Sequence, residues 1–331
     1  MIDYGARKTD AEYFKLEKDL KKLYTDCAKD IQAKMNVFSA KYEKKDAEWQ
    51  SKLAAAKGTD EEKKVQSDYQ KWLKGQVFQG EQWKARKDSI NNTLINANQA
   101  AVNMVNQRVP NILQINGNYA AYQIENNAGV NFGFNLYDST TVSKIIKDDI
   151  NILPFKKLEK GKEAAWNFQN IKRNIAKGII QGEGINKIAN RLAIDMPNRS
   201  MNMVRTHART MYTSAQNQGR LARYEEAEEM GIKIKKQWLA TLDDRTRHTH
   251  QELDGQVREL DEPFEVEGYE IRFPADPYAD PSMVYNCRCT LNNVIEKYPP
   301  KYTSRTARND DGHSKLISNM TYREWEKWKD G

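Results

Sequence analysis

Between residues 16 and 42 the apolar side chains recur at intervals of three and four: Leu16, Leu20, Leu23, Cys27, Ile31, Met35, Phe38 and Tyr42. That period belongs to one face of an α-helix, and Lys and Glu fill the opposite face. The spacing predicts one long amphipathic helix over 10–56, broken at Ala56-Lys-Gly-Thr-Asp60. Thr59 or Asp60 can cap a second helix that runs to about Lys74. A third runs from about Gln82 to Arg108 and stops before Pro110, with Ile90, Leu94, Ala97, Ala101, Val102 and Val105 as its stripe. Such narrow stripes bury area only by packing on other helices. The expected fold is therefore mainly α, with residues 1–108 a long N-terminal helical arm.

Composition narrows the classes. The 331 residues leave room for about two domains. Only 39% are hydrophobic and 30% are charged, with a mean hydropathy of -0.88. No stretch approaches the roughly 18 consecutive apolar residues of a membrane-spanning helix. The segment Met1-Ile-Asp-Tyr-Gly-Ala-Arg-Lys8 has no apolar core, so no secretory signal is expected. Three cysteines cannot form a paired framework, which points to synthesis in a reducing compartment. The 7 Trp, 16 Tyr and 9 Phe argue against global disorder.

Beyond the arm, residues 109–198 read as an Asn/Gly-rich connector followed by cationic helices. Asn and Gly favour turns, so 110–138 is expected to be irregular or partly β. Helices are expected at about 139–149, 161–181 and 185–195. Another spans Arg199 to Met230 and is closed by Gly231. The period then changes to two over 232–240 and again over 264–273, where a central Gly implies a hairpin. Residues 232–295 thus look like a small C-terminal α+β module, which with the preceding helix makes a unit over 199–295, and 296–331 form a polar tail.

The formal net charge of +7 is uneven. Residues 151–224 carry 14 basic and 4 acidic side chains, a block that attracts polyanions. Lys172, Arg173, Arg205, Arg209, Arg220 and Arg223 are the candidate contacts to double-stranded DNA, the last four at helical intervals. No base-reading motif accompanies them, so contact would be to phosphates and independent of sequence. The alternative is a helix face balanced by the acidic C-terminal segment.

Three stretches of the C-terminal module carry the most specific information. They are Trp238 to His250 followed by Leu253-Asp254-Gly255, then Phe273-Pro-Ala-Asp-Pro277, then Asn286-Cys-Arg-Cys-Thr-Leu291. In this order they resemble the phage head morphogenesis (minor head) family, often called Mu F-like. That family reads approximately Asp-x-Arg-Thr-x-x-x-His, Leu-Asp-Gly, Pro-Gly-Asp-Pro and Asn-Cys-Arg-Cys. Asp243 or Asp244, with Arg245, Thr246 and His250, matches the first motif. Asp254 and Gly255 match the second, and Asn286, Cys287, Arg288 and Cys289 the last. Arg205-Thr206 and Ala208 look like the family's Arg-Thr-Glu helix. Two positions depart: His207 stands where Glu is common, and Ala275 replaces the Gly of the turn, which implies a turn that does not need φ > 0. The resemblance covers roughly 80–295 and is strongest over 199–295.

The resemblance implies a minor structural protein of a tailed-phage head. Such a protein would act in capsid assembly near the portal, in the host cytoplasm and then inside the virion, and could leave with the genome. Its partners would be the portal protein, capsid or scaffold proteins and double-stranded DNA, with no membrane.

Three chemical readings of the same residues stand beside this one. His250, Cys287 and Cys289 form a soft ligand set for Zn²⁺, with His248, Asp243, Asp244 or a water as the fourth ligand; otherwise the cysteines are buried strand residues. A nuclease would need Asp243, Asp244, Asp254, Asp276 and Asp280 to gather around Mg²⁺ in an open cleft; otherwise they cap backbone and pair with arginines. Arg205, Thr213-Ser214 and Glu265-Val-Glu267 are similar to the residue set of ADP-ribosyltransferases, but the first two fall within a helix.

Overall fold

A computed structural model describes residues 3–148, 160–298, 304–308 and 314–330. The chain runs α1 (Tyr4–Ala40), α2 (Glu43–Ala56), α3 (Glu62–Trp72) with a π turn over Leu73–Val77, α4 (Glu81–Ala128), α5 (Ser139–Asp148), α6 (Lys160–Ile180) and α7 (Ile185–Glu229). There follow β1 (Ile234–Leu239), α8 (His248–Leu253), β2 (Val257–Arg258), β3 (Phe264–Val266), β4 (Tyr269–Ile271), α9 (Pro281–Val284) and β5 (Thr290–Ile295). The last elements are β6 (Ser304–Arg308), β7 (Ser314–Ser318) and α10 (Tyr322–Asp330). The fold is mainly α with a long N-terminal helical region and a small module of strands and short helices.

The expected helix over 10–56 divides at Lys41-Tyr42, where no Gly or Pro breaks it. Packing makes this turn. The Tyr42 ring lies 5.3 Å from Phe38 and 6.4 Å from Trp72, and its N–H closes a turn on the Ser39 carbonyl at 2.9 Å.

Two expected helix ends are absent for the opposite reason. α4 continues through Pro110, and α7 through Pro197, so the Asn/Gly-rich stretch is helical as far as Ala128. An interior proline costs about 3 kcal/mol. Each fully buried Val, Ile or Leu contributes roughly 1.5–3 kcal/mol, and Val109, Ile112 and Leu113 are all buried beside Pro110. Leu192, Ala193 and Met196 are buried around Pro197 in the same way.

The chain forms two compact units, neither contiguous in sequence. One gathers 18–103 and 157–204; the other gathers 1–17, 104–156 and 205–331. The first is helical. Leu20, Tyr24, Ile31 and Met35 of α1, Ile90 and Leu94 of α4, Ile171 of α6 and Leu192 of α7 are buried in it. Several polar groups inside it pair with one another: Tyr24 donates to Asn98 at 2.7 Å and Asn98 to Glu163 at 2.8 Å. The Tyr69 hydroxyl donates to Asp46 at 2.7 Å.

In the second unit β1 is the centre of an antiparallel sheet ordered β2-β1-β5, with Trp238 opposite Leu291. Trp238, Phe264, Phe273 and Leu291 join Ile124, Leu221 and Tyr224 in one core. β3 and β4 form the expected hairpin. The described residues of the expected polar tail form a packed element instead: the paired strands β6 and β7 and α10 bury Ala307, Ile317, Tyr322 and Trp325 around Leu242. Residues 1–17, assigned by periodicity to an arm, belong with these strands.

β1 places Ile234, Lys236 and Trp238 on its buried face. The Lys236 amine donates to the Leu260 carbonyl at 2.7 Å, and burial pushes its pKa down to about 8. In the same unit α4 and α7 meet through glycine. A Cβ on Gly219 would lie 2.5 Å from the Leu113 carbonyl oxygen, and one on Gly117 would lie 3.2 Å from the Gly219 carbonyl.

Gly219→Ala is therefore expected to destabilise by about 1–3 kcal/mol through overpacking, despite the better helix propensity of Ala. Gly161→Ala, whose Cβ meets nothing within 4 Å, should leave the denaturant midpoint unchanged or slightly raised. For Lys236 the unfolded chain keeps its proton up to an ordinary lysine pKa near ~10.4. The folded chain releases it at about 8. Wild-type stability should thus rise relative to Lys236→Met as pH goes from 8 to 10, as denaturant melts at the two pH values would read.

Candidate functional site

The three motif stretches come together against one face of α7. Residues 210, 213, 217 and 220 recur at helical spacing, and each binds the backbone of the segment from 286 to 291. Thr210 accepts from the Asn286 N–H at 3.0 Å, and Thr213 donates to the Cys287 carbonyl at 2.7 Å. Asn217 donates to the Cys289 carbonyl at 3.2 Å and accepts from the Leu291 N–H at 2.8 Å. Arg220 donates to the Leu291 carbonyl at 2.9 Å. Asn217 also donates to the Pro274 carbonyl at 3.0 Å, holding the Phe273-Pro-Ala-Asp turn to the same helix. Ten helical residues rise about 15 Å, and five extended residues span about 16 Å. The two repeats stay in step along the whole contact.

At the mouth of this segment His250, Cys287 and Cys289 converge. All three are buried, and their ligand atoms lie within 4.8 Å of one another. The His250 Nδ1 is 3.7 Å from the Cys287 sulfur and 3.4 Å from that of Cys289, and its Nε2 is 2.9 Å from the Met283 carbonyl oxygen. A carbonyl can only accept, so Nε2 carries the proton and Nδ1 presents a lone pair to both sulfurs. The Cys289 N–H points to the Cys287 sulfur at 3.4 Å. Burial pushes the Cys289 thiol well up; Cys287 is held down against burial by Cys289 and by the charges of Arg247 and Arg288.

None of the side chains expected from the sequence as a fourth ligand joins this group. His248 is exposed, 3.5 Å from Glu267 and 3.8 Å from Glu252. Asp244 is exposed. Asp243 is buried and engaged by Arg288, at 2.8 Å through one nitrogen and more closely through the other. It also accepts from Thr246 at 3.1 Å and from the Arg245 N–H at 3.1 Å. The Arg245 guanidinium itself points outward. Burial opposes charge on Asp243, but Arg288 and Thr246 prevail and hold its pKa below the ordinary carboxylate value.

Asp254 has a similar part. Its buried carboxylate accepts from the Ala240 N–H at 2.7 Å, the Tyr322 N–H at 2.7 Å and both arms of Arg305 at 2.8 and 2.6 Å. Gly255 follows at φ +85°, its N–H donating to the Trp238 carbonyl at 2.8 Å. Asp276 is paired with Arg272 and Asp280 caps α9. Among the described residues these carboxylates gather around no common point. Ala275 corrects the sequence reading of its turn: it sits buried at φ +65°, so the turn does need the left-handed region and an Ala adopts it at a cost of roughly 1–2 kcal/mol. Asn286 does the same at φ +57°, where Asn is tolerated. His207 packs edge-on against Tyr285 at 5.5 Å.

The arginine stripe on α7 is not a free surface. Arg220 and Arg223 are fully buried. Arg220 binds Asp3 at 2.8 and 2.6 Å and Asn116 at 3.1 Å. Arg223 binds Glu226 at 2.9 Å and the Asn135 carbonyl at 2.9 Å, over the Tyr137 ring. Arg209 pairs with Asp10 at 2.6 Å, and Arg205 with Glu17 at 2.9 Å. Residues this engaged cannot reach phosphate without giving up those partners. Only Lys172 and Arg173, both on α6, stay exposed among the named cations; residues 151–159 of the cationic block lie outside the described residues. Arg205 and Thr213 lie on α7 and Glu265 and Glu267 on the hairpin, so the transferase-like set shares no sheet. Asn217, Thr210 and Arg305 carried no signal in the sequence, because their partners are backbone atoms or distant residues.

The model of the family "Phage Mu protein F like protein" matches residues 169–292. The minor head protein GP7 of Bacillus phage SPP1 is 34% identical over 212 residues, covering 63% of this chain and 67% of that one. A protein of Enterococcus faecalis named NAD(+)--arginine ADP-ribosyltransferase EFV is 36% identical over 160 residues. That match covers 47% of this chain but only 31% of the relative. No solved structure matches significantly.

Because the carboxylate of Asp243 is held charged in the fold, its contribution is present above the ordinary carboxylate pKa near ~3.9 and is lost as pH falls through its lower folded value. Asp243→Asn should be destabilised by several kcal/mol at pH 7, since it leaves Arg288 without its charge partner; breaking a buried pair costs about 3–5 kcal/mol. The gap to wild type should narrow as pH falls below about 4, as urea melts across that range would record.

Proposed function

This chain belongs to the Mu F-like family of phage head morphogenesis proteins, and from that premise we propose that it is a minor capsid component assembled near the portal, in contact with packaged DNA. Its role in the phage head is a structural one. The observation that carries the finer reading is where the motif residues spend their bonding capacity. Asp243, Asp254 and Thr246 engage backbone, arginine or one another within their own module, and the Asn286 N–H donates to Thr210, an arrangement suited to a rigid docking body. No helix among the described residues is long and apolar enough to cross a membrane. Portal, capsid or scaffold proteins are the partners this reading assigns, with passage out of the head alongside the genome as its last step.

DNA contact, in this reading, falls to Lys172 and Arg173 on α6 and not to the α7 arginines. Each neutralised phosphate contributes about 0.9 to the slope of log K against log salt. Lys172→Ala combined with Arg173→Ala should reduce that slope by up to about 2 and weaken binding equally on unrelated duplexes. An unchanged slope in fluorescence anisotropy would remove DNA contact at this site. For the assembly role, mass spectrometry of purified virions should find the chain, and tagged chain should retain portal protein from infected-cell extract. Virions lacking it, or retention of capsid protein without portal, would overturn the portal-proximal assignment.

A further inference from the structure

We propose that His250 Nδ1, Cys287 Sγ and Cys289 Sγ hold one Zn²⁺ ion that fastens α8 to the segment entering β5. With Zn–S near 2.3 Å and Zn–N near 2.0 Å, a tetrahedral ion separates a sulfur from a nitrogen ligand by about 3.5 Å. The structure has those edges at 3.7 and 3.4 Å. Both sulfur–nitrogen edges match those of a tetrahedral ion, and the two sulfurs lie within 4.8 Å of each other.

Hydrogen bonding alone accounts for the cluster poorly. Nδ1 has one in-plane lone pair, yet two sulfurs face it, so one thiol proton would lack a good acceptor there. A cation uses all three atoms at once. The supporting contacts are those a bound metal needs. The Met283 carbonyl takes the Nε2 proton and fixes the tautomer, leaving Nδ1 to ligate. The Cys289 N–H bonds the Cys287 sulfur across the Cys-x-Cys turn. Trp238 stands edge-on at 5.4 Å and limits rotation of the imidazole.

Charge balances as well. Binding releases a proton from each thiol, and Zn²⁺ with two thiolates and a neutral imidazole has no net charge, so burial of the complex carries no uncompensated ion. Among the described residues no fourth His, Cys, Asp or Glu atom joins the group, and a water takes the remaining position. Three protein ligands and a water is also the coordination of a catalytic zinc, but here all three ligands are buried and, among the described residues, no carboxylate joins the group, so the ion has a fastening role. The other group of potential ligands, His248, Glu252 and Glu267, is largely exposed and carries no such argument.

The test uses the full chain, reduced, stripped with a chelator and reloaded with zinc salt alone. Elemental analysis should give one zinc per chain. Zinc-edge X-ray absorption of the wild type should show two sulfur and two nitrogen or oxygen neighbours, with sulfur at about 2.3 Å. Chelation should lower the melting temperature and zinc restore it. Cys287→Ala with Cys289→Ala should lose stoichiometric zinc. If that variant does not fold, the wild-type absorption spectrum still decides. Failure of the wild type to retain zinc, a shell without sulfur, or copper as the retained metal would overturn the assignment.

Discussion

The polar stripe of α7 along the segment 286–291 is the contact on which the C-terminal module depends. β5 has β1 on one side only, so its other edge would present unpaired N–H and C=O groups. Left buried and unmet, each such group costs about 1–3 kcal/mol. Asn217 and Arg220 meet both groups of Leu291 on that edge, and Thr210, Thr213 and Asn217 meet the backbone of residues 286, 287 and 289 that leads into the strand. Helix rise and strand rise are commensurate over this length, so rigid side chains at successive turns reach successive backbone positions. This covers the approach to β5 and the start of its free edge without offering them to further pairing.

Arg220 shows how such a contact spreads. Its guanidinium is fully buried and serves β5, Asn116 of α4 and Asp3 just ahead of α1 at the same time. Arg209 with Asp10 and Arg205 with Glu17 continue the pairing, so acidic residues at 3, 10 and 17 meet basic residues at 220, 209 and 205 in antiparallel order. A charge count along the chain assigns these arginines to a polyanionic partner. In the fold they are fasteners, and of the cations named from the sequence Lys172 and Arg173 stay exposed. The relationship to a minor head protein fits a body of this kind, stiffened by buried ion pairs.

The motif residues follow the same logic. Asp254 ends β1, anchors Arg305 of β6 and receives the first N–H of α10. Asp243 does the same for Arg288 and the Thr246 turn. Three loops that are far apart in sequence thereby acquire fixed positions around His250, Cys287 and Cys289. The geometry of the proposed ion is set by elements that are themselves pinned, so it needs no loop to close around it.

Much of this was legible in the sequence. Period 3.6 located the helices and period 2 located β1 and the β3–β4 hairpin, because local geometry dictates which side chains share a face; His250, Cys287 and Cys289, singled out together in the sequence, do converge. Order along the chain also sufficed to relate the motifs to a family. Other features were decided only by tertiary packing. Helices pass Pro110 and Pro197 because the burial around each outweighs its cost, and the turn at Lys41-Tyr42 forms without a breaker because aromatic rings hold it. Lys236 occupies a buried face because the Leu260 carbonyl receives its amine. Ala275 adopts a left-handed turn because Asn217 binds the carbonyl before it. Whether an arginine is a surface or a fastener depends on which carboxylate lies opposite, and Asp3 and Arg220 are 217 positions apart. No local pattern holds that information; only the folded chain brings the two charges together.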